Sequence, residues 1–194
     1  METAHVEKTV LRQKFKDIRR KFARSDGRLV ARQLSENLKR FLRDFDDVQI
    51  CLYKAMPHEA PCLITPIEKY YYPVLQGEEL EFRRPRNAQA FAANKLAIME
   101  PIRAESEALN PDRPTVVCCP AVAIDSLGVR LGLGKGYYDR FFSKHAHTLR
   151  VGVVFHVQFS TDPLPAESWD QQLDWIVSEK MILRTSTRSS QSWI

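Results

Sequence analysis

The chain has 194 residues, 44% hydrophobic and 27% charged, with a formal net charge of +5, which excludes a fibrous or disordered protein and suits one domain burying its own core. No apolar run approaches the roughly 18 residues that a membrane-spanning helix needs. The charged start lacks the apolar stretch of a secretory signal, so a cytoplasmic protein without a membrane partner is expected.

Leu11, Phe15, Ile18 and Phe22 recur at spacings of four and three, predicting an N-terminal amphipathic helix with basic outer faces. A break at Ser25-Asp26-Gly27 precedes a second helix, marked by Val30, Leu34, Leu38, Phe41, Leu42 and Phe45. Residues 48–53 read as a buried strand and Met56-Pro57-His58-Glu59 as a turn. A helix over 61–70, despite Pro66, and a strand over 71–75 are expected next. Residues 79–84 read as a short strand, 86–96 as a short helix or irregular loop, 96–99 as extended, and 110–114 as a turn. The clearest central strand is 115–124, broken or ended by Pro120 because proline cannot donate to a ladder. A helix over 136–143 and a strand over 149–155 complete a unit of parallel type, and 174–178 reads as the last strand.

The expected architecture is α/β, a single-domain open, mainly parallel sheet flanked by helices over residues 1–182, opened by two N-terminal helices. Ligands in such sheets bind at the carboxyl ends of strands. Residues 183–194, rich in Ser, Thr and Arg, hold too little apolar surface to pack and are expected to form a disordered tail. Cys51, Cys62, Cys118 and Cys119 show neither C-x-x-C nor zinc-ligand spacing, and the adjacent pair would bridge only with strain, so free thiols are expected.

Three of the seven glycines alternate in Arg130-Leu131-Gly132-Leu133-Gly134-Lys135-Gly136-Tyr137-Tyr138-Asp139-Arg140. A sharp strand-to-helix turn explains one such glycine; three, flanked by Arg, Lys and Tyr, suit a loop whose backbone approaches an anion. The run matches neither the P-loop nor the dinucleotide fingerprint. Lys8 and Arg12, four apart, share a helix face and can reach one anionic site, while Lys16 and Arg19 read as solvated charges. His58, His145 and His147 form no catalytic set.

The run from Arg130 to Arg140 resembles the signature of the 5-formyltetrahydrofolate cyclo-ligase (5,10-methenyltetrahydrofolate synthetase) family. Lys8-x-x-x-Arg12, Met99-Glu100-Pro101, the stretch from Cys119 to Asp125, Val151-Gly152-Val153-Val154-Phe155 with Gln158, and the stretch from Trp169 to Glu179 are similar to its other motifs. The resemblance implies an ATP- and magnesium-dependent enzyme that converts 5-formyltetrahydrofolate to 5,10-methenyltetrahydrofolate, releasing ADP and phosphate. The alternative is a non-catalytic folate- or nucleotide-binding regulator of the same fold. A monomer is expected, with no nucleic-acid partner.

By that resemblance Lys8, Arg12, Arg130, Leu131, Gly132, Leu133, Gly134, Lys135, Gly136, Tyr137 and Tyr138 bind ATP. Lys54, Glu59 and the run Leu133 to Tyr137 bind the folate, Lys135 and Tyr137 act in catalysis, and Asp139 and Asp170 hold Mg2+. Asp174 reads as structural. The chain departs from the family pattern at Lys54, at Ala60-Pro61-Cys62 after Glu59, and at Trp169 before Asp170.

Overall fold

The computed structural model describes residues 2–45 and 47–186. Helix α1 (Glu2–Ser25) and helix α2 (Gly27–Leu42) divide at Asp26, where the chain's apolar period breaks. The α2 stripe turns Leu34, Leu38, Phe41 and Leu42 into the core, and Lys39 and Arg40 in its last turn complement the negative helix end. On α1, Phe15 packs with Val122, Leu131 and Leu164, and Phe22 lies 5.2 Å from the Phe155 ring.

The strands follow in chain order: β1 (Gln49–Cys51), β2 (Tyr72–Gln76), β3 (Glu79–Pro85), β4 (Phe91–Ala93), β5 (Met99–Pro101) and β6 (Ser106–Ala108). Then come β7 (Thr115–Pro120), β8 (Ala123–Asp125), β9 (Arg130–Leu131), helix α3 (Tyr137–Lys144), β10 (Leu149–Val153), β11 (Phe159–Ser160), β12 (Trp175–Val177) and β13 (Ile182–Arg184). Among the described residues the main sheet has five strands in the order β1-β7-β10-β12-β13. Its first four are parallel and β13 is antiparallel, so the mainly parallel α/β expectation holds. Covered on both faces, β10 is buried throughout and β7 nearly so, which is why both read as unbroken apolar runs.

The strand order reverses at β1, whose two edges have different neighbours. Tyr71 bridges Cys51 on one side of β1, while β7 pairs with the other. That divergence makes a switch point, where a crevice opens beyond the strand ends. Over it stands the small antiparallel sheet β2-β3-β6 and the pair β4-β5.

Several expectations need correction. Residues 61–70 are not helical; a single 3-10 turn, Ile67–Lys69, is all that forms, because Pro61 and Pro66 lack N–H donors and drive the preceding residues to extended backbone. The expected helix or loop at 86–96 contains β4, the following strand begins at Met99, and β6 has no counterpart in the expected elements. The strand over 115–124 is, by contrast, ended by Pro120 as expected, and the chain resumes as β8 in a separate sheet with β9 and β11. The strand at 174–178 is followed by β13. Leu183 and Arg184 therefore belong to a strand, and Thr185 is buried with its hydroxyl donating to the Leu173 carbonyl at 2.6 Å. Packing extends past residue 182; residues 187–194 of the expected tail lie outside the described residues.

The four cysteines are free. Burial pushes the Cys119 thiol up to about 11 and the Cys62 thiol up to about 12, so both are poor nucleophiles. No helix among the described residues is long and apolar enough to cross a membrane.

Candidate active site

A cavity of about 1010 Å³ opens beyond the ends of β1 and β7. Its wall collects Lys8 and Arg12 from α1, Lys54 and Glu59 from the segment after β1, and the whole loop from Gly132 to Gly136. Arg130, Tyr137, Tyr138, Asp139 and Asp170 also line it. Of the expected site residues Leu131 alone is turned away, buried against Phe15 and Val122. Its neighbour Arg130 lies on the opposite side of the short β9 strand.

The glycine loop has local reasons for its composition. Gly136 has φ +67° and caps α3, and a Cβ there would stand 2.8 Å from the Arg140 guanidinium. Glycine takes that conformation without steric penalty. The N-terminus of α3, with its unpaired N–H groups and positive dipole end, therefore faces the cavity side of the loop. Arg140 donates to the Glu78 carbonyl at 2.9 and 2.6 Å, Tyr137 donates to the Gly77 carbonyl at 3.3 Å, and Lys144 pairs with Glu79 at 2.7 Å. These contacts latch the β2–β3 turn to the helix that the loop launches.

Two ion-pair groups organise the anionic end. Lys8, only 1% exposed, places its ammonium 2.5 Å from both Glu167 and Asp170, and the Glu167 N–H donates to Asp170 at 2.7 Å. Arg130 donates to Asp139 at 3.0 Å and its guanidinium lies 5.5 Å over the Tyr138 ring. The second Asp139 oxygen accepts from the Gln171 N–H at 3.3 Å. Arg12 reaches the Gly132 carbonyl at 3.2 Å, fixing the loop to α1. Lys135 is exposed at the loop's crest.

Glu59 marks the other end. Its carboxylate accepts from the Met56 N–H at 2.9 Å and pairs with Arg19 at 3.5 Å. Arg19 was expected to be a solvated charge; it is 8% exposed, lines the cavity and also donates to the Ala121 carbonyl at 3.4 Å. The signal was present in the spacing, because Lys8, Arg12 and Arg19 fall four and seven apart on one helix face. Gln158, fully buried, donates to the carbonyls of Ala121 and Val122 at 2.7 and 3.1 Å, holding the chain that leaves β7 in place. Glu167 has no counterpart among the expected residues and Asp174 is structural as expected, accepting from the Arg150 N–H at 2.8 Å.

Burial raises the Glu59 carboxyl above the ordinary glutamate range, and the Met56 N–H and Arg19 guanidinium offset this only in part. A carboxyl with a raised folded-state pKa contributes stability that is full below its unfolded pKa and is lost as pH rises through the folded value. The stability of the natural chain relative to Glu59→Gln is therefore expected to decline over the interval in which pH rises above the ordinary glutamate range. Denaturant unfolding of both proteins across that interval checks it; a constant difference would show that Glu59 titrates alike folded and unfolded.

Two buried nitrogens on the cavity wall, Arg19 Nε and Arg130 Nε, have no hydrogen-bond partner among the described residues. Such surplus donors suit a site that receives an electron-rich ligand. Among the described residues no group of three or more His, Cys, Asp or Glu side chains is placed to hold a metal by itself. Asp139 and Asp170 on the cavity wall are each paired with a side-chain cation, Arg130 and Lys8 respectively, and magnesium takes one or two carboxylates and otherwise keeps water and phosphate oxygens.

The fold and its cavity are those of an α/β domain with a glycine-rich, basic loop at the carboxyl end of a parallel sheet. A model of the 5-formyltetrahydrofolate cyclo-ligase family matches residues 4–179, and the chain belongs to that family. It is similar to 5-formyltetrahydrofolate cyclo-ligase from Escherichia coli strain K12, 32% identical over 120 residues, a stretch covering 59% of this chain and 65% of that protein. The probable 5-formyltetrahydrofolate cyclo-ligase of Schizosaccharomyces pombe is 29% identical over 157 residues, covering 70% of this chain and 76% of the relative. The NMR structure of Aquifex aeolicus 5,10-methenyltetrahydrofolate synthetase superposes with a TM-score of 0.76 at 30% identity, covering 96% of this chain and 97% of that one. The 5,10-methenyltetrahydrofolate synthetase of Mycoplasma pneumoniae shares the fold, with a TM-score of 0.70 at 21% identity over 89% of this chain and 99% of its own.

Proposed function

We propose that this chain is an ATP-dependent enzyme that closes 5-formyltetrahydrofolate to 5,10-methenyltetrahydrofolate, releasing ADP and phosphate. The observation that carries the reading is that one cavity joins the basic glycine loop to Glu59, as a reaction between a nucleotide and a flat heterocycle requires. The formyl oxygen attacks the γ-phosphorus of ATP and ADP leaves. N10 then attacks the activated formyl carbon, its proton is lost, the ring closes and phosphate departs. No nucleophilic side chain is needed; positioning and charge neutralisation suffice.

In this reading Lys8 and Arg12 face the phosphates, and the loop's backbone N–H groups and the Lys135 ammonium stabilise charge on the transferring phosphoryl group. Asp139 and Asp170 would hold a magnesium ion, which supplies further charge neutralisation on the nucleotide. Glu59 accepts hydrogen bonds from the pterin's amino and ring N–H groups, and the partly exposed Tyr137 ring stacks on the pterin.

Mixing the protein with ATP, magnesium and 5-formyltetrahydrofolate is expected to produce the ultraviolet absorption of the methenyl product, with stoichiometric ADP. Nucleotide or folate binding without product would instead assign the chain to non-catalytic binders of the same fold.

A further inference from the structure

We propose that Lys54 anchors a carboxylate of the substrate's glutamyl end, so that the site prefers a glutamylated folate to its pteroate counterpart; the inference rests on the folate reading above. Lys54 follows β1 on the cavity wall, partly buried. Its ammonium stands 4.5 Å from the centroid of the Phe91 ring and 5.4 Å from that of Tyr72. Those two rings meet edge-on at 5.3 Å, and together they hold the cation by attraction to their faces.

What distinguishes Lys54 among the described residues is that it is partly buried on the cavity wall with neither a carboxylate nor a carbonyl partner, whereas Arg12 and Arg140 donate to the Gly132 and Glu78 carbonyls and Lys135 is exposed. Lys8, Arg19 and Arg130 each pair with a carboxylate across the cavity wall, whereas no carboxylate pairs with Lys54 among the described residues. Burial lowers its pKa, and no neighbouring charge restores it. An ammonium stripped of part of its hydration and left unneutralised on a ligand-facing wall gains most from an anionic oxygen on the ligand.

The surroundings define the rest of that ligand. Met56, Leu96 and Ile98 line the same cavity, and Leu96 is 65% exposed, as at a cavity mouth. Met56, Leu96 and Ile98 with the Lys54 cation complement an aminobenzoyl ring that ends in a carboxylate, and the acidic Glu100 on the same stretch has its Oε1 occupied by the Leu75 N–H and the Asn94 amide. Glu59, buried and acceptor-rich, complements the amino-bearing pterin at the opposite end of the same molecule. The substrate thus lies with its pterin inward and its glutamate outward.

Equilibrium binding of 5-formyltetrahydrofolate and of 5-formyltetrahydropteroate, which lacks the glutamate, to the natural chain, Lys54→Met and Lys54→Arg tests this. The natural chain is expected to bind the glutamylated ligand about ten-fold tighter, the size of one charge-assisted hydrogen bond. In Lys54→Met that ratio falls to about one, because the apolar stem stays while the charge goes; Lys54→Arg keeps most of it, and neither changes the affinity for ATP. An unaltered ratio in Lys54→Met, an equal loss for both ligands, or a loss transferred to ATP would overturn the assignment. A natural chain that binds neither ligand would overturn the folate reading and this inference together, whereas folate binding with an unaltered ratio overturns Lys54 alone.

Discussion

Replacing Lys135 by alanine is expected to lower kcat by about 10²–10³-fold while leaving the thermal midpoint within about 2 °C of its starting value. The two halves of that expectation have separate origins. Lys135 sits exposed at the crest of the glycine loop, so its removal opens no void and strands no buried partner. In the proposed reaction its charge matters only when a phosphoryl group in flight spreads negative charge beside it, a condition met in the transition state more than in bound ATP. The KM for ATP should therefore rise less than kcat falls. Steady-state kinetics beside a thermal melt settle the point: a variant retaining kcat within about three-fold would remove Lys135 from the phosphoryl site.

Gly128→Ala is expected to be the most damaging small substitution for the fold, at about 3 kcal/mol or more. Gly128 has φ +80°, and a Cβ there would lie 2.4 Å from the Leu173 carbonyl oxygen and 3.1 Å from its nitrogen. Both obstacles are backbone and neither can rotate aside. The Leu173 N–H donates to the Gly128 carbonyl at 2.9 Å, so relief by separation breaks the bond that ties the β8–β9 turn to the segment entering β12. A fall in the thermal midpoint of roughly 6–12 °C follows for a domain of this size. A midpoint shift under about 2 °C would show that the two segments separate freely.

The parts of the fold most legible in the sequence are those with a long, uniform pattern. Leu11, Phe15, Ile18 and Phe22 reveal α1 because a period near 3.6 is sustained over several turns, and the unbroken apolar run entering Pro120 reveals β7 because both faces of the sheet are covered. Strands β4, β5 and β6 are three residues each, too short to show alternation, and their partners lie in other segments. Proline governs the stretch around Pro61 and Pro66 against a weak helical period.

At the site, the composition of the glycine loop and the shared helix face of Lys8 and Arg12 are readable locally, while Glu59 is placed only by the resemblance to the family. The coupling of Lys8 to Glu167 and of Arg19 to Glu59 is not locally readable, since each joins groups that only the tertiary fold brings together. Arg19 shows the limit well: its helix face is readable, but its burial depends on Ala121 and Glu59 arriving from the sheet.

The pairing of Lys8 with Asp170 spans 162 positions. A ribosome that has made the whole glycine loop has still not made the carboxylate that fixes the ammonium of α1, so the first helix must wait for almost all of the domain before its charge is held in place. Contacts of such sequence separation are slow to close, and the ligand cavity is accordingly among the last features to mature on the nascent chain. Fragments cut anywhere between α1 and Asp170 would retain pieces of sheet without a working centre.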